Sequence, residues 1–348
     1  MKITFPGRLK IIFTTITVTV LVALCTITGC NLLKEDFTGG TECVMQAETN
    51  EAVRRMTVED RDRLLNLLKE SEIAFSTASL KDERTIEISG LSPQDEPKVK
   101  EILDNNFREW DSQITGENAA LSLKNDAVNQ VKEQAILQAL EVMKKRLSAL
   151  GLSKEYIERE TPASDRLKLR IPPIKDPERI KAVIRMGGIL EFRHVISGPF
   201  AAKEEALNTF SGTLPIDLDI LKTNPRGMEP GYYVVKAYPV ITGLDLENAR
   251  RSKDNYGSPN IAFTLTSAGA AKFRNYTSKN IGQKLAIVLD NKIESAPVIQ
   301  DILSKEAVIT GRFTIEEAED MARILNSGAL PAPVKILEEK IIEAKEKE

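Results

Sequence analysis

Arg166-Leu167-Lys168-Leu169-Arg170-Ile171-Pro172-Pro173 alternates charged and apolar residues and then stops at a proline pair. The period of two puts Leu167, Leu169 and Ile171 on one face of a strand. Pro172 has no N–H to give to a ladder and ends it. Upstream, Ile136, Leu140, Met143, Leu147 and Leu150 recur at helical spacing, which predicts a long helix over 126–150 with one apolar stripe. Lys144, Lys145 and Arg146 fall in its last turns, where cations favour the negative end of the helix dipole. Gly151 follows as a C-terminal cap. Downstream, Asp176-Pro177 sets a capping side chain before a proline at the first helical position. The helix it opens leads into a strand over 189–195.

The flanks extend this order. Gly39-Gly40 permits a tight backbone turn into a first strand over 41–47. Thr57-Val58-Glu59-Asp60 reads as a capped helix start, with Leu64, Leu65, Leu67 and Leu68 as its buried face. Residues 84–89 alternate as a strand, 90–97 form a loop and 99–107 a short helix. Strands and helices in this succession predict an α+β sandwich of the ferredoxin type. Residues 197–231, with glycine, proline and few apolar clusters, read as a connection into a second unit. There, strands are expected over 232–237, 259–266 and 284–290, and Ser267 caps a helix over 268–280. Asp290-Asn291 is a tight-turn signal before a returning strand over 292–296, and 307–310 is a short strand. Thr314-Ile315-Glu316-Glu317 is a capping box for a helix ending near Ser327-Gly328. A last strand covers 331–338, and the charged stretch 338–348 is expected to fray into solvent.

The N-terminus differs in kind. Lys2, Arg8 and Lys10 precede an uncharged run, 11–33, long enough to cross a bilayer as a helix. Positive charge before it and weak charge after it place the N-terminus in the cytoplasm and the rest outside. Ile27-Thr28-Gly29-Cys30 also looks like a lipobox, in which Cys30 takes the lipid. An uncleaved anchor and a lipoprotein signal both stand, and both put the bulk of the chain outside the cytoplasm. Cys43 is expected to be a small buried apolar residue.

Composition narrows the chemistry. Acidic and basic residues nearly balance at a net charge of -3 and aromatics are 5%, so nothing points to nucleic acid. One histidine and three cysteines are a poor inventory for a metal site. No G-x-S-x-G, Cys/His pair or H-E-x-x-H appears, and no phosphate-binding glycine loop, so neither an enzyme nor a cofactor is expected. His194 shares a strand face with Leu190 and Phe192 and reads as a packed or edge histidine. Glu316, Glu317 and Glu319 read as capping and solvated surface, as does Lys203-Glu204-Glu205.

Several stretches, in order, resemble the SecD family of protein-export subunits. They are Leu137-Gln138-Ala139-Leu140 through Lys145-Arg146-Leu147-Ser148-Ala149-Leu150-Gly151; Ser164-Asp165-Arg166 to Pro172; Lys175-Asp176-Pro177-Glu178-Arg179; and Ile189-Leu190-Glu191-Phe192-Arg193. Ile241-Thr242-Gly243, Ala286-Ile287-Val288-Leu289-Asp290 with Ser295-Ala296-Pro297-Val298-Ile299, and Ser327-Gly328-Ala329-Leu330-Pro331-Ala332-Pro333 complete the set. The motif residues carried over are Asp36, Gly39, Gly40, Arg146, Gly151, Gly328, Pro331 and Pro333. Asp36-Phe37-Thr38-Gly39-Gly40-Thr41 is closer to the signature of the homologous partner subunit SecF.

The resemblance implies a first periplasmic domain: a base over 36–196 and 314–339, an inserted α+β head over 197–313, a membrane segment within 1–35 and a charged tail over 340–348. It implies an accessory role in Sec-dependent export, at the bacterial inner membrane, with the head capturing unfolded preprotein and SecF-like subunits as partners. The family's later membrane helices and intramembrane acidic residue have no counterpart before Glu348, so proton-driven motion is expected to need helices from another chain. Gly227 to Tyr233 is a candidate contact segment for preprotein, though its preferred reading is a plain loop into a strand whose tyrosines pack on the core. The alternative function is a freestanding lipoprotein that binds unfolded or partner proteins.

Overall fold

The computed structural model describes residues 39–215, 217–224, 229–303 and 305–343. The apolar run 11–33, Cys30, Asp36 and Gly227 therefore lie outside the described residues. No helix among the described residues is long and apolar enough to cross a membrane.

The first strand, β1 (Gly40–Ala47), runs into helix α1 (Thr49–Glu70). The helix starts eight residues before the expected cap at Thr57, because Thr57 is not a cap. Its buried hydroxyl donates inside the helix to Val53 O at 3.0 Å and lies 2.7 Å from Glu83 O. Next come β2 (Thr77–Asp82), β3 (Thr85–Ser89), α2 (Glu96–Asn106), β4 (Trp110–Thr115) and β5 (Asn118–Leu123). They form their own antiparallel sheet, ordered β2-β3-β5-β4, whose apolar face packs on α1 and α2 through Leu64, Leu65, Leu68, Ile86, Ile88 and Leu121. The sequence shows one strand here, because β4 carries Asp111-Ser112-Gln113 on an edge and has no apolar alternation to betray it.

Helix α3 (Asn125–Ala149) is followed by β6 (Ile157–Arg159), β7 (Arg166–Ile171) and α4 (Pro177–Arg185). Leu167, Leu169 and Ile171 are buried as their alternation requires, against Met143 and Leu147 of α3 and Met45 of β1.

The chain then enters β8 (Leu190–Phe200), α5 (Lys203–Asn208), β9 (Leu218–Thr223), β10 (Tyr232–Lys236), β11 (Ile241–Thr242), β12 (Leu246–Lys253) and β13 (Pro259–Leu265). The stretch read as a plain connection, 197–231, thus holds the end of one strand, a helix and a further strand. Helix α6 (Ser267–Lys279), β14 (Leu285–Leu289), β15 (Lys292–Ser295), β16 (Glu306–Ile309) and α7 (Ile315–Ser327) follow. The cap of α6 is Thr266, which accepts from Gly269 N at 3.1 Å, and Ser267 is the first helical residue. Asp290 and Asn291 take φ of 48° and 62°, the left-handed pair a two-residue hairpin needs.

Strands β8, β14, β15, β9 and β10 pair in succession, and β10 returns to pair with β8, so the ring closes around Val195, Tyr233, Val235, Ala286, Val288 and Ile293. A three-stranded sheet, β12-β13-β16, stacks on its outside, and Phe192, Phe263 and Phe273 meet between them. The buried face of α7 (Ala318, Met321, Ala322, Leu325) packs into this same cluster. The last strand, β17 (Val334–Ile342), returns to β1. It runs on through Glu338 and Lys340 rather than fraying, because its register with β1 continues to Gly40 opposite Ile342. The sheet it completes is ordered β17-β1-β7-β6 with all neighbours antiparallel.

Trp110 Nε1 donates to Asp60 Oδ2 at 3.0 Å, tying β4 to α1. Burial pushes the Asp60 carboxyl up, against the Trp110 hydrogen bond and Arg63, which pull it down. The folded form therefore holds the proton more tightly than the unfolded one. Stability from this group is full below the ordinary carboxylate value of about 3.9 and is lost as pH rises through the raised value. Asp60→Asn keeps an acceptor for Trp110 and removes that slope. Urea midpoints followed by Trp110 fluorescence should fall less in this variant than in the parent as pH is raised from 4 to 7 (about the carboxylate window); equal slopes would refute the assignment.

Candidate functional site

The chain crosses twice between the β1 sheet and the ring: at 186–189, from α4 into β8, and at 328–333, from α7 into β17. Both crossings converge on one side chain. Arg146, in the last turn of α3, is fully buried, at 0% exposure. It is not the surface cation its neighbours Lys144 and Lys145 suggest. Its position three residues after Met143 turns it into the apolar stripe.

Helix α4 ends with carbonyls that have no partner within the helix. Arg146 Nη1 supplies donors to Val183 O at 3.1 Å, Ile184 O at 3.0 Å and, closer still, Met186 O. The end of α7 is served by the same guanidinium: Nε donates to Ser327 Oγ at 3.0 Å and Nη2 to Gly328 O at 3.1 Å. Ser327 Oγ in turn donates to Ile324 O at 2.7 Å. Two helix C-termini, each with partial negative charge, thus face one cation. Burial draws the Arg146 pKa down to about 10, with Asp290 acting to raise it, so the group stays charged at neutral pH.

The crossings are also joined directly, by Leu330 N donating to Gly187 O at 2.7 Å. Asp290, at the β14–β15 turn, accepts from Gly188 N at 3.2 Å and Ile189 N at 2.9 Å. Gly188 has φ of 74°, and a Cβ there would lie 2.8 Å from Ile324 Cγ2 and 3.1 Å from Arg146 Nη2, so only glycine fits. On the α1 side, Arg55 Nη1 donates to Leu330 O at 3.2 Å and Pro331 O at 3.3 Å, and Glu48 N donates to Pro333 O at 2.9 Å. Arg179 of α4 grips Asp320 of α7 through two contacts of 2.7 and 2.9 Å. Asn326 completes the fastening: its side chain accepts from Ala249 N and donates to Ala249 O, both at 2.7 Å, so it covers the outer edge of β12.

The structure therefore brings Arg146, Gly328, Pro331 and Pro333 to one junction and leaves Gly39, Gly40 and Gly151 elsewhere. Gly151 follows α3 with φ of 76°. Gly39 and Gly40 lie at the start of β1, where a Cβ on Gly40 would meet Ile171 O at 2.1 Å. Gly187, Gly188, Ser327 and Asp290 were not legible as junction residues. Asp290 announces only its turn, and the glycine pair after α4 is the one signal that points here.

His194 faces Tyr276 of α6, with a hydrogen bond between Nδ1 and the tyrosine hydroxyl and ring centroids 5.9 Å apart. Burial and then Lys236 push the histidine down, and burial pushes Tyr276 up to about 12, so both are neutral near pH 7 and tie strand to helix. Cys43 is buried, and burial raises its thiol. Of the candidate contact segment, Tyr233 packs inside the ring and Tyr232 lies beside Lys222, whose Nζ is 6.0 Å from the ring centroid. Among the described residues, the large apolar side chains most open to solvent are Leu244, at 93%, in the short 3-10 helix before β12, and Tyr256, at 95%, in the turn after it. The site is thus a mechanical junction built from donors and acceptors.

A family model described as the SecDF P1 head subdomain matches residues 219–332. Protein translocase subunit SecD of Koribacter versatilis is 30% identical over 88% of this chain and 58% of its own length. The SecD subunit of Aquifex aeolicus is 32% identical over 88% of this chain and 59% of its own. A solved structure of SecDF, described as a membrane component that enhances protein export, is 32% identical over 59% of this chain and 92% of its own, with a TM-score of 0.46. The chain spans a little under 60% of the two curated relatives' length.

Proposed function

The chain belongs to the SecD family of protein translocase subunits, and from that premise we propose that it is an accessory component of Sec-dependent export whose head captures preprotein outside the cytoplasm. The observation that carries this reading is the similarity to SecD along 88% of the chain. Its site is the bacterial inner membrane, held there by the apolar run 11–33, and its partners are SecF-like and other translocase subunits.

In this reading the β17-β1-β7-β6 sheet with α3 and α4 is a ferredoxin-like base, supported by its strand order of last, first, third and second. The head, expected over 197–313, is drawn wider in this reading, from β8 through α7, because the buried face of α7 packs into the cluster around Phe192, and the junction at Arg146 is the pivot between head and base. An unfolded chain offers apolar side chains and unpaired backbone, and Leu244 and Tyr256 are the head's exposed apolar counterparts. Capture of this kind needs neither nucleophile nor cofactor.

The test is site-specific photocrosslinking in membranes holding a secretory precursor arrested in transit. Benzoylphenylalanine in place of Leu244 or Tyr256 should form adducts with the precursor, whereas the same residue in place of exposed Ser112 should not. Adducts at Ser112 alone, or at none of the three, would count against capture by the head.

A further inference from the structure

The β1 sheet has one short edge and one long edge. Strand β6, at one side, is three residues, Ile157–Arg159. Strand β17, at the other, is nine residues, Val334–Ile342, and pairs with β1 alone. A long open edge is a template for another strand unless something prevents it. Leu337 and Ile341 are exposed on it, at 43% and 77%.

We infer that this edge pairs with the same edge of a second copy of the chain, antiparallel about a two-fold axis through Glu339. The backbone limits the choices. Ala47 N bonds Asp165 O, so the β1–β7 register turns Met45, Cys43 and Thr41 toward β7 and leaves Val44, Glu42 and Gly40 for β17. Their partners are Glu338, Lys340 and Ile342, so Glu339 and Ile341 present their backbone groups outward. An added strand can therefore shift only in steps of two residues.

Three two-fold registers then lie within the regular stretch beyond the bulge opposite Val44 and Met45. Centred on Glu338, the pairing sets Glu338 against itself and carries Lys340 onto the bulge. Centred on Lys340, it sets Lys340 against itself and Glu338 against Ile342. Centred on Glu339, it sets Glu338 against Lys340 on both sides of the axis and brings Leu337, the residue at the bulge, next to Ile341. Only this register joins opposite charges. Its single like pair, Glu339 with Glu339, is offset within each copy by Lys181, whose Nζ lies 2.7 Å from Glu339 Oε1 and is shared with Glu178. Glu338 and Lys340 have no ion-pair partner of their own among the described residues. The charges that guard the edge against other strands thus leave one self-complementary arrangement open, and the contact is isologous, so it closes as a dimer.

The experiment uses the full chain in detergent, with two differently tagged copies. Leu337→Cys in one copy and Ile341→Cys in the other should form a disulfide between tags, while Leu337→Cys in both should not. In sedimentation, Lys340→Glu should weaken self-association about tenfold, since it turns both attractive cross-strand pairs repulsive. Glu338→Lys combined with Lys340→Glu should restore it. Crosslinking indifferent to these charges, or a monomer in every variant, overturns the proposal. So does an Ile341→Trp monomer whose fluorescence is quenched by brominated lipid, which would assign the edge to the membrane surface.

Discussion

An Arg146→Ala chain is expected to lose about 3–5 kcal/mol of stability, the range for removing one partner from a buried charged network. The substitution strips donors from Ser327 Oγ and from five carbonyls, those of Val183, Ile184, Met186, Gly187 and Gly328. Each buried acceptor left without a donor costs about 1–3 kcal/mol, and relaxation of the two helix ends recovers part of the sum. Arg146→Lys should recover less than half of the loss. An ammonium carries its three donors on one nitrogen and does not span from α4 to α7 as the planar guanidinium does. Urea unfolding followed by far-UV circular dichroism measures both variants. A loss below about 1 kcal/mol for Arg146→Ala would mean that the two crossings hold without the clamp, because a net hydrogen bond is worth about that much.

Phe192→Ala should be as costly, at about 3–5 kcal/mol, and should act on the head first. Phe192 is buried on β8 and touches Phe263 of the three-stranded sheet at 5.4 Å and Phe273 of α6 at 5.8 Å between ring centroids. It is the side chain through which the ring, the outer sheet and a helix meet, so truncation leaves a cavity that none of them can fill alone. Trp110, the chain's one tryptophan, lies in the β2–β5 unit and reports on a different core. The variant should therefore unfold in two steps, with near-UV signal from the head tyrosines lost at lower urea than Trp110 fluorescence. Coincident transitions would show instead that the ring and the β2–β5 unit unfold as one cooperative unit.

These two residues also mark how far the sequence could be read. Phe192 sits in Leu190-Glu191-Phe192, where alternation alone turns it inward with Leu190, and the structure buries both. Arg146 carried a weaker signal. Its distance from Met143 and Leu147 put it on the apolar side of α3, but a cation beside Lys144 and Lys145 reads as surface charge. The outer four-stranded unit was legible only at β3, where Ile86 and Ile88 alternate with Thr85 and Glu87. Strands β2 and β4 are sheet edges with mostly polar side chains, and their pairing partners, not their own pattern, make them strands.

By itself, the sequence determined the elements whose reasons are local: the β7 alternation, the long α3 stripe, the Asp290-Asn291 turn and the capping box at Thr314. Each is settled by contacts within a few residues, and the ordered motifs sufficed for the family. What only the tertiary structure decided rests on groups far apart in the chain. The carbonyls that Arg146 serves are 37 to 182 residues away, the ring closes by β10 returning to β8, and β17 finds β1 across almost the whole chain. Hydrophobic periodicity says which way a side chain faces, but backbone carbonyls have no sequence signature. Which of them a buried cation will meet is fixed only when the helices that carry them have packed.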